Sequence, residues 1–395
     1  MKAVVYRTPL PIDHEDSLLD ADVPAETCMK TLTAILAATS LLVACQPPDA
    51  SAPSAPTSTP TLTVAATSDA MIWNAVAVAD DGRIFVSAPR WTGTRGPSLA
   101  RLDAQGRPAP YPDAAWNAWK PGDDAAHAFV NINAIHRDTE GGLWVVDTGS
   151  PDFGGAPLPG GAKLVRIDLA RDAVLRVYPF DERIATPRSY VDDLRFHGRN
   201  AYLTDAGQPG LIVLDIDTGD ARRVLDGTPF TTASEDRPIV VDGQVLRAPD
   251  GKPLRVHADP LEVSPDGQWF YFAPLSGPMW RIETRWLDTP GLDDATLAEH
   301  VEPWFDLPAV GGTAMDADGT LYFTDLAQNA LRKRTPDGEV ETILTDPRLH
   351  WVDAPYLDAR GVLWMPAPQM DRVALFNGGE ARTRWPVELL TLSLR

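Results

Sequence analysis

One short pattern returns six times between Trp73 and Pro368 and leaves the chain very few architectures. A polar turn ending in glycine is followed, three residues later, by an aromatic side chain. The pairs are Phe85 after Gly82, Trp144 after Gly141, Phe270 after Gly267, Tyr322 after Gly319 and Trp364 after Gly361. The third copy has a shorter turn, Gly198-Arg199-Asn200, and offers Tyr202. Three residues further on stand Ala88-Pro89, Asp147-Thr148, Asp205-Ala206, Ala273-Pro274, Asp325-Leu326 and Ala367-Pro368. The turns are spaced by roughly 40 to 70 residues, the range of propeller blades. An apolar run, an Asp/Gly turn and an aromatic-rich run together read as a β-hairpin. A lone hairpin cannot bury both its faces. Six packed radially can, and the closed ring leaves only short, protected edges. The expectation is an all-β fold: a six-bladed β-propeller with four-stranded antiparallel blades around a central channel, over residues 71–395.

Bulk properties fit this expectation. The chain has 395 residues, enough for two or three ordinary domains, but the repeats take up most of them in one body. Its 37 prolines and 29 glycines suit many short strands and tight turns. None of the 12 tryptophans precedes Trp73, and rings of that size suit the wedge-shaped gaps between twisted blades. A net charge of -20 argues against a nucleic-acid partner, whose phosphates demand a basic face, and against docking on anionic lipid by charge. It favours a cationic ligand, although solubility alone would account for it. Both cysteines, Cys28 and Cys45, precede the repeats. Disulfides, thiolate metal sites and a cysteine nucleophile are therefore excluded from the repeat body.

The first 70 residues read as an address and a spacer. From Met29 a charged start leads into an apolar run, Thr31 to Val43, of signal-peptide length and too short to span a bilayer. The run ends Leu42-Val43-Ala44-Cys45, which resembles a bacterial lipobox and implies lipidation of Cys45. Gln46 after the cysteine points to the outer membrane, with the body facing the periplasm and the lipid as its one membrane attachment. Residues 1–28 carry six acids against Lys2 and Arg7, the wrong charge ahead of a signal. The expectation is that translation starts at Met29 and that 1–28 is an extension outside the natural chain. Residues 29–44 then form the signal peptide. Residues 45–70 form a lipidated, Pro/Ser/Ala/Thr-rich tether. Within it, Thr61 to Ala66 alternates weakly, as an outer strand closing the ring on the last blade would.

Several segments carry a family resemblance. They are Phe85-Val-Ser-Ala-Pro-Arg-Trp91, Gly142-Leu-Trp-Val-Val-Asp-Thr-Gly149, Ala201-Tyr-Leu-Thr-Asp205, Leu211-Ile-Val-Leu-Asp215, Glu262-Val-Ser-Pro-Asp-Gly267 with Tyr271-Phe272, and Leu349-His-Trp-Val-Asp353. Together, over roughly residues 71 to 378 and in this order, they resemble the major royal jelly protein and Yellow family, in a bacterial form. The resemblance implies a propeller similar to the senescence-marker/gluconolactonase group. It implies little about activity, since that family includes binders of small aromatic amines, proposed dopachrome-converting enzymes and proteins of no known chemistry.

A site is expected at a channel mouth, where the innermost strands begin. Eight residues before each turn glycine stand Asn74, Asn133, Asp259, Gly311 and Asp353; in the shortened third copy the apolar positions put Asp192 there. The five polar residues among them are the expected ligand contacts. Strand alternation would place Val76 and Val78, Leu194 and Phe196, and Leu261 and Val263 below them as an apolar lining. Carboxylates and amides around one axis suit a calcium ion, which takes oxygen ligands. Resemblance to the gluconolactonase group makes Asp192 and Asp259 the metal ligands, while Gly311 and Asn74 stand where that group has acids. The plainer reading is that the ring caps strand starts and holds water. His257, two residues before Asp259, is the candidate general base beside Asp259. His136 is expected to face a neighbouring blade, and His350 lies near the rim. Asp147, Asp205 and Asp325 read as turn-fixing residues.

No H-E-x-x-H, P-loop or nucleophile elbow occurs in the sequence. Long connections, Thr231 to Pro253 and Trp286 to Glu299, are candidates to cover the channel, and Asp293 to His300 reads as a short helix. Three functions are compatible with these features: a tethered binder of a small aromatic or cationic molecule, a calcium-assisted lactone or ester hydrolase, or an envelope scaffold for protein partners.

Overall fold

The computed structural model describes residues 61–395, so the proposed extension, signal peptide and Cys45 lie outside the described residues. The body is a six-bladed propeller. Each blade is a four-stranded antiparallel sheet. Blade one runs from Ala75–Val78 to Pro108–Pro110, blade two from Ile132–Arg137 to Ala173–Pro179, and blade three from Val191–His197 to Ala221–Val224. Blade four runs from Ala258–Val263 to Glu302–Phe305 and blade five from Val310–Met315 to Val340–Thr345. Blade six takes Tyr356–Leu357, Val362–Pro366 and Val387–Ser393, and its outer strand is Thr63–Ser68 from the other end of the chain. The strand Thr63–Ser68 thus lies inside the segment assigned by sequence to the tether, and the weak alternation after Thr61 is the strand that closes the ring. Among the described residues no helix is long and apolar enough to cross a membrane.

The repeated aromatics pack where adjacent blades diverge. Trp144 of blade two is fully buried, stacked on Tyr178 and packed against Phe196 of blade three at a centroid distance of 5.0 Å. Tyr202 likewise meets Phe270 of blade four at 4.9 Å. Such pairs bury large area and fill the wedge that sheet twist opens. His136 lies against Phe196, in the neighbouring blade as its spacing implied.

The ends of the second strands are tied by buried charge. Asp147 accepts backbone N–H bonds from Val130, Asn131 and Gly149 and pairs with Lys163 at 2.8 Å, both side chains fully buried. Lys163 donates its other protons to the carbonyls of Ala125 and Gly161. Asp205 plays the same part in blade three, accepting from Tyr190, Gly207 and Gln208 and pairing with Arg223. These aspartates are structural, each satisfied by backbone donors and one cation.

Removing Lys163 would strand a buried carboxylate. Lys163→Ala should lower stability by about 3–5 kcal/mol, whereas Arg171→Ala, at an exposed pair, should change it by less than about 1 kcal/mol; urea denaturation of both variants reads the difference. Leu389, buried in the closing blade, should behave as core, with Leu389→Ala lowering stability by about 2–5 kcal/mol in the same assay.

Candidate functional site

The innermost strands do not run straight to the channel mouth. In blades two, three, four and five the pairing register slips at the first turn of the strand, between Ile132 and Ala134, Val191 and Leu194, Ala258 and Leu261, and Val310 and Thr313. These are β-bulges, which leave residues unpaired and re-aim side chains. The unpaired residues include Asn133, Asp192, Asp259 and Gly311, four of the six ring positions. The bulge explains why the ring is polar: side chains freed from the ladder point inward.

A cavity of about 320 Å³ opens at this mouth. Asn74, Asn133, Asp192, Asp259 and Asp353 all line it, as does His257. The five expected contact residues are therefore brought together, from five blades. Gly311 is outside the lining, and a side chain is sterically barred there: a Cβ would fall 2.0 Å from the Val352 carbonyl oxygen.

The bulges also overturn one expectation. Leu194 and Leu261 were expected below the ring, facing the channel. They are instead fully buried between blades, each in a core shared with its neighbours. The extra residue in each strand shifts the alternation by one place. Asp193, Arg195 and Glu262 take the channel positions in a second, smaller cavity beneath the ring that shares no lining residue with the upper one. Arg195 meets Asp193 at 2.7 Å and forks onto both oxygens of Glu262 at 3.0 Å; Thr313 donates to Glu262. Burial works against the Arg195 charge, but the two carboxylates outweigh it and raise its proton affinity.

A directed hydrogen-bond relay organises the upper ring. Trp91 Nε1 donates to the Tyr190 hydroxyl, Tyr190 donates to Asn133 Oδ1, and Asn133 Nδ2 donates to Asp192 Oδ1. An indole nitrogen can only donate, so the direction is fixed from its first link. Asn133 consequently turns its N–H₂, not its oxygen, toward Asp192. Asn74 Nδ2 donates to the Asn133 carbonyl, while its own Oδ1 is buried without a partner. Trp351 Nε1 donates to Asp353.

Three carboxyls share this low-dielectric space, and their proton affinities rise. Asp192 is pushed well up by burial and then by the charges of Asp259 and Asp353. Asp353 is raised by burial and then by Asp259. Asp259 is pushed up to about 7 by burial, helped by Asp193 and opposed by a hydrogen bond with Asp192. Like charges this close in a buried space cannot all ionise easily, so the shifts favour a retained proton at Asp192 and Asp259. His257 Nδ1 accepts the Ala233 backbone N–H at 3.1 Å. Burial, together with Arg255 and Arg188, lowers its proton affinity despite Asp205. The ring is then neutral with its proton on Nε2, and it offers the cavity a donor rather than the base expected of it.

A calcium ion fits this arrangement poorly. Among the described residues no three His, Cys, Asp or Glu side chains cluster as metal ligands. The carboxyl pair retains a proton, the Asn133 oxygen is occupied by Tyr190, and position 311 admits no acid. The Asn74 oxygen is buried without a partner.

Part of the lining is an aromatic wall, and the repeats did not disclose it. Trp91, Phe153 and Phe376 pack together, with Trp91 to Phe153 at 4.7 Å and Phe153 to Phe376 at 5.8 Å; Tyr190 and Met370 complete the wall. These residues come from loops of differing length, outside the repeated pattern. Two had a readable signal: Tyr190 and Trp351 stand two before the ring residue, as His257 does. Of the long connections, Thr231 to Pro253 leads into Leu254, Arg255 and Val256, which line the mouth. The other forms two short helices, Thr284–Asp288 and Asp294–Ala298, whose Leu287 and Leu297 pack beside blades three and four.

The comparisons with known proteins fit this architecture. Residues 132–377 match the family model described as "Major royal jelly protein". The chain belongs to the major royal jelly protein family. This royal jelly propeller is 31% identical over 121 residues to protein yellow of Drosophila subobscura, a match covering 28% of this chain and 20% of the length of that protein. In fold it is similar to a gluconolactonase from Xanthomonas campestris, with 15% identity over 85% of this chain and 90% of that one, TM-score 0.52. It is also similar to regucalcin, a calcium-binding protein of Agrobacterium tumefaciens, with 13% identity over 83% and 93% of the two chains, TM-score 0.51. At these identities the likeness is one of fold.

The raised Asp259 carboxyl makes a signed prediction. It binds its proton more tightly folded than unfolded, so its contribution is full below about pH 4 and is lost as pH rises toward 7. Asp259→Asn should therefore gain stability over the parent on going from pH 5 to pH 8, by about 1–3 kcal/mol, in urea denaturation at the two pH values.

Proposed function

We propose that this propeller binds a small organic cation carrying an aromatic ring at the mouth of its channel. The observation that supports this most is the pairing of surfaces in one 320 Å³ cavity, lined both by three carboxyls and by an aromatic cluster. An ammonium group would settle on the Asp192–Asp259 pair and displace its proton, while the ring packs against Trp91, Phe153 and Phe376. Carboxylate attraction and cation–π attraction act on the same charge. His257 Nε2–H and the Asn74 oxygen supply one free donor and one free acceptor for orientation. The net charge of -20 draws cations toward the mouth.

Titration calorimetry with tyramine and tryptamine tests this reading. Binding near pH 7 should release a proton, because the cation competes for the site that Asp259 protonates. Affinity should fall by up to about tenfold per pH unit below pH 7. Asp259→Asn should abolish that slope, and Phe153→Ala should weaken both amines. Absence of binding at millimolar amine, or binding indifferent to both substitutions, refutes the reading.

A second reading draws on one observation. A carboxyl with a proton affinity near neutrality is suited to general-base work. On that reading Asp259 activates water against a lactone or ester held by the His257 donor, and calcium is not required. Hydrolysis of gluconolactone above the uncatalysed rate, lost in Asp259→Asn, would decide for it. By this account calcium at millimolar levels leaves the melting temperature unchanged.

We further propose that the body is an outer-membrane lipoprotein facing the periplasm, held by Cys45. Palmitate labelling of cells expressing the parent and Cys45→Ala checks this: the label should appear on the first and be missing from the second.

A further inference from the structure

Beside the mouth, on blade six, lies a second cavity of about 320 Å³ whose chemistry is opposite to that of the first. Arg348, His350, Arg372 and Arg384 line it, with Glu388 as its one acid and Trp385 beside them. Three guanidiniums around one hollow are unexpected on a chain with 55 acids and 35 bases. Trp385 is 42% exposed, among the few large apolar side chains that face solvent.

The cations are not all neutralised. Arg348 pairs with Asp346. Arg372 reaches its nearest carboxylate, Asp242, only at 3.7 Å. Arg384 has no ion-pair partner among the described residues. Burial weakens the hold of Arg372 on its proton and the Arg384 charge adds to this, while the charges of Asp371 and Asp242 oppose it. His350 donates from Nε2 to Asp371 at 2.8 Å, which leaves Nδ1 turned toward Arg372 at 3.3 Å.

Gln369 fixes this geometry. Its amide accepts from the Arg384 backbone N–H at 3.0 Å, donates to the Arg384 carbonyl at 2.8 Å, and accepts from Arg372 at 2.8 Å. One buried side chain thus holds the Arg372 guanidinium and the Arg384 backbone. Its own backbone sits at φ 57, a left-handed conformation uncommon outside glycine and costly without surrounding support. Two incompletely neutralised guanidiniums, Arg372 held by Gln369 and Arg384 carried on a backbone that the same amide fixes, match a doubly charged tetrahedral oxyanion, which accepts forked N–H bonds from each.

We propose that this hollow is a phosphate-binding site, with Arg372 and Arg384 as its charged contacts and the face of Trp385 beside the ester group. The phosphate would come from a free phosphate ester or from a phospholipid headgroup. Neither source depends on what the channel mouth binds.

Titration calorimetry of the purified protein with inorganic phosphate in 150 mM salt (about an 8 Å screening length) and co-sedimentation with phosphatidylglycerol or phosphatidylcholine vesicles test it together. Phosphate should bind one to one, and Arg384→Gln should weaken it at least about tenfold, the loss of one charged contact. Arg382→Gln, outside the hollow, should leave it unchanged. Binding confined to phosphatidylglycerol vesicles, and lost in Arg384→Gln, supports the site and assigns the headgroup as its source. No binding in either assay, or binding that Arg384→Gln and Arg372→Gln leave intact, overturns the proposal.

Discussion

The slipped registers at the head of the innermost strands are the constraint on which this molecule turns. A regular ladder would have committed Asn133, Asp192 and Asp259 to alternation, one face in and one face out. The bulge releases them and rotates the remainder of each strand. Hence two consecutive residues, Asp192 and Asp193, belong to two different cavities. The same slip sends Leu194 and Leu261 into the seams between blades, where they are fully buried. A polar mouth, a charged plug and apolar seams thus have one origin in the backbone.

The mouth is governed by competition for positive charge. Carboxyls crowded in a poorly hydrated space must find a counter-charge or keep protons, because like charges there repel strongly. Beneath the ring, Arg195 resolves the problem for Asp193 and Glu262. Arg188 and Arg255 also line the mouth, but among the described residues no guanidinium pairs with the ring carboxyls, and protonation takes its place. A ligand with an ammonium group would substitute for that proton without rebuilding anything. A metal ion would ask more, since it needs several oxygens while the relay from Trp91 has already turned Asn133 the other way.

The architecture was legible because hairpin repeats leave a strong mark: a glycine turn, an aromatic at fixed distance, a polar residue eight places before. Even the shortened third copy placed Asp192 correctly beside Asp259. What escaped reading falls into two kinds. The bulges add a residue without altering composition, so a period-two count continued past them and assigned Leu194 and Leu261 to the channel. The aromatic wall comes from loops that obey no repeat, so Phe153 and Phe376 had no column to stand in. The tautomer of His257 was equally hidden, being set by a backbone N–H from Ala233, 24 residues away in sequence.

Blade six is finished by a strand from the far end of the chain, and Thr63 meets Thr391 across 328 residues of sequence. During synthesis the early strand emerges first and has no partner until nearly everything else has been made. Every nascent copy therefore passes through an unclosed horseshoe with a bare sheet edge on each side. Contacts so distant in sequence form slowly, and unpaired edges recruit other chains. The wheel is at its most vulnerable just before completion, and its yield in a cell would depend on how crowded and how long that interval is.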